Sequence, residues 1–106
     1  MLSIANNLLC EVIAERYGYK PQARQAVEEM SELIQAICKL DRNHGDFESV
    51  EEIATAPEYI HVAEEIADVK ICIAQLEYLL DCKGLVGLYV DEKLKRQVER
   101  IEKNNG

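Results

Sequence analysis

One acid–apolar pattern occurs twice in this chain, and it constrains the fold more than any other feature. The segment EEMSEL at residues 28–33 is matched by EEIADV at residues 64–69, and the register continues, since Ile37 corresponds to Ile73. Residues three and four apart share one side of a helix, so each segment places two acids beside an apolar stripe. The pattern predicts two helices of one design, packed through their stripes. In the later helix the stripe comprises Val62, Ile66, Val69, Ile73, Leu76 and Leu80.

Helical spacing extends over the rest of the chain, and strand patterns are weak. Gly18 and Pro21 break the chain between the first and second helices, and the polar residues 41–46 predict a loop after the second. Gly84 is expected to end the third helix, and Gly87 to open the last connection. The four predicted helices cover about residues 2–16, 21–40, 55–82 and 88–102.

Two sequences between the second and third helices fit the capping box, in which a hydroxyl and an acid three residues later cap a helix start. Ser49 with Glu52 predicts a short helical turn at residues 49–54. Thr55 with Glu58 predicts the start of the third helix. Because no linker divides the chain, the prediction is one all-α domain of four helices.

Length and charge limit the classes of function. The 106 residues suffice for one domain with a modest core, so a single domain is expected over residues 1–106. Such a core favours association of copies as a dimer or tetramer. The formal net charge of -8 would repel a phosphate backbone, which argues against nucleic acid polymers as partners. A small phosphorylated ligand remains compatible, because divalent cations bridge carboxylates to phosphates.

The composition favours a cytoplasmic protein that does not associate with membranes. No apolar run approaches membrane-spanning length, and residues 1–10 lack the charged start of a secretory signal. No two cysteines form a C-x-x-C pair, and with only two histidines a zinc site is not expected. All the cysteines are expected to be reduced and partly buried; they are Cys10, Cys38, Cys72 and Cys82.

The repeated acids point to a metal site. Glu29 and Glu32 lie about 60° apart on one side of their helix, and the later pair, Glu65 and Asp68, repeats this spacing. If the helices pack through their stripes, four carboxylates line one edge of the contact and repel one another unless a cation lies among them. Mg²⁺ fits best, with Mn²⁺ as a substitute, because it accepts a few carboxylates, keeps waters and binds phosphates. A di-iron site would need Glu-x-x-His pairs, which are absent here. The alternative is a solvated acidic face.

The two acid motifs resemble those of MazG-like nucleoside-triphosphate pyrophosphohydrolases. The family pattern is E-E-x-x-E on one helix and E-x-x-D on the next, and residues 28–32 and 65–68 match it. Gln22, upstream of the first motif, also fits, and the resemblance covers roughly residues 17–100. It implies a MazG-like four-helix bundle, completed by oligomerisation. It further implies Mg²⁺-dependent hydrolysis of an NTP or dNTP to the monophosphate and pyrophosphate, in nucleotide-pool cleansing.

Carried over position by position, the resemblance gives the metal-binding and catalytic role to four acids, Glu29, Glu32, Glu65 and Asp68. Glu28, the remaining acid of the first motif, would be a further catalytic residue that positions water or a second metal.

The resemblance also implies basic residues on the fourth helix that bind the triphosphate. Three of them share one face at i, i+3 and i+7, namely Lys93, Arg96 and Arg100. Lys95 points away from that face. The alternative for each of the three is a salt bridge to a neighbouring acid on the same helix.

Base recognition and the exact reaction stay open. The chain has no tryptophan, a residue common in the base pockets of some relatives. A base would stack on Tyr17, Tyr19, Phe47 or Tyr59, with core or surface packing as the alternative for each. His61 is a further candidate for substrate contact. The rival functions are a phosphoribosyl-ATP pyrophosphatase-like enzyme of the same fold and a non-catalytic helical interaction protein.

Overall fold

The second and third helices form the centre of the molecule. The computed structural model describes residues 2–105, which contain four α-helices, one short 3-10 helix and no strand. This confirms the expected all-α, four-helix class. The helices are α1 (Ile4–Tyr17), α2 (Tyr19–His44), α3 (Pro57–Leu79) and α4 (Lys83–Asn105), and the 3-10 helix is Val50–Glu52. The α2 helix packs most extensively on α3, α1 packs on α3 and less on α2, and α4 contacts only α3 among these elements.

A single residue separates α1 from α2. Gly18 has a φ of +82°, a conformation that glycine adopts without the strain a side chain would cause. The first helix is capped at its start by Ser3, whose hydroxyl accepts a hydrogen bond from the backbone N–H of Asn6 at 3.1 Å. The second helix begins at Tyr19, and Pro21 lies in its first turn, where the missing N–H breaks no helical bond.

The predicted loop at residues 41–46 is wrong for its first part, because α2 continues to His44. Contacts with the start of α3 accompany this extra turn. The Asn43 amide donates to Glu58 at 3.0 Å, and His44 Nε2 lies 3.3 Å from the same carboxylate. These contacts tie the end of α2 to the start of α3, so the two helices run antiparallel.

Neither predicted capping box forms. Ser49 precedes the 3-10 helix but makes no capping hydrogen bond, and Glu52 instead accepts from the backbone N–H of Glu48 at 3.3 Å. The residue before α3 is Ala56, not Thr55, and its methyl side chain cannot accept a capping hydrogen bond. The connecting segment is anchored by Ile53, which is buried.

The predicted end of α3 and start of α4 are also wrong. The third helix ends at Leu79, and α4 begins at Lys83, so Gly84 and Gly87 both lie inside α4. The turn is made without glycine by two backbone bonds, from Cys82 N–H to the Glu77 carbonyl and from Asp81 N–H to the Tyr78 carbonyl. With Asp81 at a φ of +50°, this is the Schellman pattern that terminates helices.

The most deeply buried residues of α2 and α3 are small or polar. On α3 the buried residues are Glu65, Cys72 and Gln75. Of the predicted apolar stripe, Val62, Val69 and Leu76 are half-buried, whereas Ile66, Ile73 and Leu80 are exposed. The expectation that the helices pack through their stripes therefore holds for only part of the α3 stripe. No large side chain is fully buried in residues 2–105. The buried apolar residues are Cys10, Ala14, Ala26, Ala36, Ile53 and Cys72.

Two further expectations concern the thiols and membranes. All four cysteines are unpaired, and Cys10 and Cys72 are buried, but Cys38 is exposed, so the prediction of partial burial is wrong for that residue. In the described part of the chain, no helix combines the length and the apolar character needed to cross a membrane.

Candidate metal centre and adjoining pocket

Three of the predicted acids meet between α2 and α3. Glu29 comes from α2, and Glu65 and Asp68 come from successive turns of α3. One carboxylate oxygen from each lies within 4.8 Å of the other two. Small buried residues lie about one turn from these acids on each helix, Ala26 on α2 and Cys72 on α3, and small residues let packed helices approach closely.

Two carboxylate oxygens of this cluster lack any hydrogen-bond partner. Oε2 of Glu29 and Oε2 of Glu65 are both buried and unsatisfied among residues 2–105, and the Glu65 residue is only 7 % exposed. Their other oxygens have neighbours: Gln25 Nε2 donates to Glu29 Oε1 at 2.7 Å, and His61 Nε2 lies 3.7 Å from Glu65 Oε1. Burying a carboxylate without a partner is costly, so the arrangement calls for a positive ligand.

The pKa shifts of Glu29 and Cys72 also indicate that negative charge is concentrated at this cluster. Desolvation by burial raises the pKa of Glu29, the hydrogen bond from Gln25 lowers it, and the negative charges of Glu32 and Asp68 raise it again. Burial also raises the pKa of the neighbouring Cys72 thiol, with further contributions from Glu29 and Asp68. Between Leu2 and Asn105, no Lys or Arg side chain comes within 4.0 Å of a carboxylate. The cluster is thus short of positive charge.

The donor set fits a hard divalent cation. Carboxylate oxygens are the ligands that Mg²⁺ prefers, and Mg²⁺ commonly takes one or two of them plus water and phosphate. The two unsatisfied oxygens, one from each helix, supply the unused donors that such an ion needs. The buried Cys72 is a thiol with a raised pKa, which disfavours the thiolate that softer metals select.

The remaining predicted acids lie outside the three-carboxylate cluster. Glu32 is half-buried one turn along α2, where its charge still acts on Glu29. Glu28 is exposed and is not part of the cluster. Sequence spacing grouped Glu32 with the other three acids because it carries no information on how α2 and α3 cross. In the structure, Glu29 is the α2 acid that lies beside Glu65 and Asp68.

The predicted basic residues are not near this cluster within one chain. Lys93, Arg96 and Arg100 are exposed on α4, and α4 contacts only α3 among the described helices. None of the three lines the pocket beside the acids. The alternative of salt bridges along α4 is also not seen, since none of the three pairs with a carboxylate in residues 2–105.

A pocket of about 370 Å³ opens beside the acids, between α1, α2 and α3. Glu29 and Asp68 belong to both the cluster and the pocket, so the two form one continuous site. The full lining is Ile13, Tyr17, Pro21, Gln22, Gln25, Glu29, Asp68, Ile71, Cys72 and Gln75. Of the proposed stacking residues, only Tyr17 lines this pocket, while Phe47 lines a separate one in the segment between α2 and α3.

Sequence reasoning missed most of the amides in this pocket. Gln75 is 4 % exposed and Gln22 is 8 % exposed, which is unusual for glutamine. The family resemblance includes Gln22, but no motif in the sequence predicts a role for Gln25 or Gln75. Their positions, one or two helical turns from the motif acids, were the available indication. Comparisons of the chain with family models, with curated proteins and with solved structures gave no match.

Proposed function

We propose that this protein is a Mg²⁺-dependent nucleoside-triphosphate pyrophosphohydrolase that converts an NTP or dNTP to its monophosphate and pyrophosphate. The proposal extends to a MazG-like bundle completed by a further copy of the chain, to Mn²⁺ as a substitute ion, and to a role in removing unwanted nucleotides. The single observation that carries it is the pair of buried, unsatisfied carboxylate oxygens on Glu29 and Glu65.

These carboxylates distinguish a ligand site from a solvated acidic face. An acid on a solvated face keeps its water, so it costs nothing in folding. Glu65 is only 7 % exposed, and its Oε2 atom accepts no hydrogen bond from the protein. A chain that keeps this arrangement without a ligand would lose stability and gain nothing from it. This favours a catalytic or binding role over a purely structural one.

Glu29, Glu65 and Asp68 would hold the ion, and Glu32 stands close enough to influence Glu29. Bound Mg²⁺ would supply charge neutralisation at phosphate oxygens and a more acidic water. A carboxylate oxygen of the cluster that is not engaged by metal would orient that water for attack and accept its proton. Glu28, exposed beside Glu29, is available for a secondary part in that positioning.

The pocket would hold the nucleoside. Its volume of about 370 Å³ falls in the range of small-molecule sites. Apolar side chains, including Ile13 and Ile71, and the Tyr17 ring offer contact surface for a base. Gln22 and Gln75 carry amides that both donate and accept hydrogen bonds, as needed to read a base edge. With the base in this pocket, the phosphates would extend toward Glu29 and Asp68, in reach of the acids.

Pyrophosphate release tests the proposal. The purified protein is incubated with each NTP and dNTP, and with phosphoribosyl-ATP, in the presence of Mg²⁺. We expect release from at least one nucleoside triphosphate, with cleavage between the α- and β-phosphates shown by the monophosphate product. Activity on phosphoribosyl-ATP alone would favour the rival enzyme of the same fold.

Conservative variants identify the residues responsible. Glu65→Gln and Asp68→Asn keep the side-chain size but remove charge, and each should lower the rate by orders of magnitude, because metal-mediated charge stabilisation is worth several kcal/mol. Glu64→Gln is the matched control, since Glu64 is adjacent, exposed and outside the cluster. If the parent is active and all three variants release pyrophosphate at the same rate as the parent, the assignment of these acids is refuted. No release by the parent with any nucleotide would favour the rival function, a non-catalytic interaction protein.

A further inference from the structure

The two acids with unsatisfied oxygens are each contacted by the residue one helical turn before them. On α2, Gln25 Nε2 donates a hydrogen bond to Glu29 Oε1 at 2.7 Å. On α3, His61 Nε2 lies 3.7 Å from Glu65 Oε1, a distance that a small side-chain adjustment would turn into a hydrogen bond. In both helices the contacting residue precedes the acid by four positions, the spacing that puts two side chains on one side of a helix.

These contacts engage one oxygen of each carboxylate and leave the other free. Oε2 of Glu29 and Oε2 of Glu65 are buried and have no hydrogen-bond partner in residues 2–105. A carboxylate that rotates about its last bond loses the contact at Oε1, so a donor at Oε1 also restricts the direction of Oε2. Carboxylates that bind metals are commonly held by hydrogen bonds of this kind. The contacts therefore prepare the buried Oε2 atoms to bind a cation.

The contacting residues extend the internal repeat of the sequence. Residues 28–33 correspond to residues 64–69 at an offset of 36 positions, and the same offset relates Gln25 to His61. An amide and an imidazole thus occupy one structural position. Both side chains can offer an N–H group to a carboxylate oxygen. An incidental surface pair has no reason to recur at the equivalent position of a second helix, so the recurrence points to a shared role.

The second acid of each motif has no such donor one turn before it. Glu32 is preceded at four positions by Glu28, and Asp68 is preceded by Glu64. An ionised carboxylate can only accept hydrogen bonds, so neither glutamate can hold the acid that follows it. The chain therefore supplies a donor at this position only to the first acid of each motif, which is the acid whose Oε2 is buried without a partner.

The surroundings of His61 favour a role through Glu65 over direct contact with a nucleoside. In the described part of the chain, His61 does not line the pocket beside the acids and lines a separate opening that includes Lys39 and Glu58. Gln25 does line the pocket, next to Glu29. A test of the two residues must therefore be made without nucleotide, so that an effect on substrate contact cannot contribute.

We propose that Gln25 and His61 are positioning residues of the metal centre: each holds Oε1 of the acid one turn later, so that the buried Oε2 is presented to a divalent cation. This inference rests on the proposed function for the presence of that cation, and it does not depend on the identity of the nucleotide. Removal of a group that orients a metal ligand typically weakens metal binding by about 10–100-fold.

Binding of Mn²⁺ in the absence of nucleotide tests the role of Gln25. The Kd is measured from the electron paramagnetic resonance signal of the free ion. Gln25→Met keeps the length of the side chain and removes its N–H donor, so we expect the Kd to rise by about tenfold or more. Because Gln25 is exposed, the melting temperature of the metal-free variant should stay close to that of the parent.

Gln35→Met is the matched control for this variant. Gln35 is an exposed glutamine of the same helix that donates to Ser31, four residues away, at 3.4 Å and does not line the pocket. Its replacement should leave the Kd for Mn²⁺ unchanged. A parental Kd for Gln25→Met, or an equal rise for both variants, would overturn the positioning role of Gln25.

An exchange between the two helices tests His61. His61→Gln gives α3 the residue that α2 has at the equivalent position, so we expect it to retain the parental Kd, whereas His61→Leu should raise the Kd by about tenfold or more. Equal Kd values for His61→Gln and His61→Leu would overturn the role of His61.

The same titrations separate this inference from the proposed function. A parent that binds Mn²⁺ and shows these variant effects, but releases no pyrophosphate from any nucleotide, would refute the proposed function and leave the positioning role intact. A parent that binds no Mn²⁺ would overturn the positioning role together with the metal centre.

Discussion

The α2–α3 pair and α4 differ in how much of each helix is covered by the rest of the chain. All three are long helices with an apolar stripe along one side. In the pair, the most deeply buried residues are small or polar, some aliphatic residues such as Val69 and Leu76 are half-buried, and others face solvent. In α4, no side of the helix is covered. The comparison shows that the site depends on where bulky residues are absent, because only helices in close contact bring Glu29 within 4.8 Å of Glu65 and Asp68.

The largest effect is expected from enlarging a small buried residue of α2. Ala26 is 2 % exposed, so Ala26→Leu would force α2 and α3 apart. We expect a loss of about 1–3 kcal/mol in the free energy of unfolding, by thermal or urea denaturation, because overpacking strains a filled contact. Ala63→Leu, at an exposed position of α3, is the control and should change stability by less than about 0.5 kcal/mol. Equal effects at both positions would contradict the close packing.

Metal binding should distinguish the acid cluster between α2 and α3 from the exposed surface of α4. Mg²⁺ should raise the melting temperature of the parent, because an ion that binds only the folded state stabilises it, by about 2.7 kcal/mol at a hundred times its Kd. Asp68→Asn should abolish most of this shift while leaving the metal-free protein as stable as the parent or more so, since it removes repulsion from Glu29. The α4 variant Lys95→Gln should retain the full shift. No shift in the parent, even with a nucleotide present, would contradict the metal centre.

The turn that directs α4 offers a smaller effect. Asp81 adopts a φ of +50°, which a side chain disfavours and glycine accepts freely. Asp81→Gly should therefore raise the free energy of unfolding by about 0.5–1 kcal/mol. The molecular mass measured by light scattering should not change, because α4 still leaves α3 in the same direction. Destabilisation would indicate that the Asp81 side chain itself supports the turn.

The smallest effect concerns the contact that ties the end of α2 to α3. The hydrogen bond from Asn43 lowers the pKa of Glu58 most, followed by its own backbone N–H, and His44 lowers it further. A carboxyl whose pKa is lowered in the folded state adds stability above its ordinary pKa of 4.5, and loses it as the pH falls through the folded value. Glu58→Gln should thus lower the melting temperature slightly at pH 7, with the difference disappearing in acid. Glu51→Gln, nearby and exposed, is the control.

Much of the helical plan was predictable, but the boundaries were not. Gly18 ended α1 as expected, since its positive φ breaks the helix at that residue. Gly84 and Gly87 misled the prediction because a helix tolerates glycine at a cost of about 1 kcal/mol each, and the backbone bonds of the α3–α4 turn determine the break instead. At residues 41–44, contacts with Glu58 accompany a helical turn that local sequence assigned to a loop.

The candidate site was partly predictable for a related reason. Spacing placed Glu29 and Glu32 on one side of α2, and likewise Glu65 and Asp68 on α3. It did not determine how far each helix is rotated about its axis in the pair, so it did not separate Glu29 from Glu32. The buried amide of Gln75 was also out of reach, because a glutamine in a helix is normally at the surface.

The sequence by itself determined the all-α class, four helices and an acid pair on each of the two central ones, because helical periodicity is encoded in the spacing of apolar and charged residues along the chain. Only the tertiary structure decided which side of each helix is buried. It buried polar residues such as Glu65 and Gln75, left part of the aliphatic rows exposed, and gave α4 contacts with α3 alone among the described helices. The physical reason is that periodicity describes a helix relative to its own axis, whereas burial depends on the crossing and rotation of its neighbours.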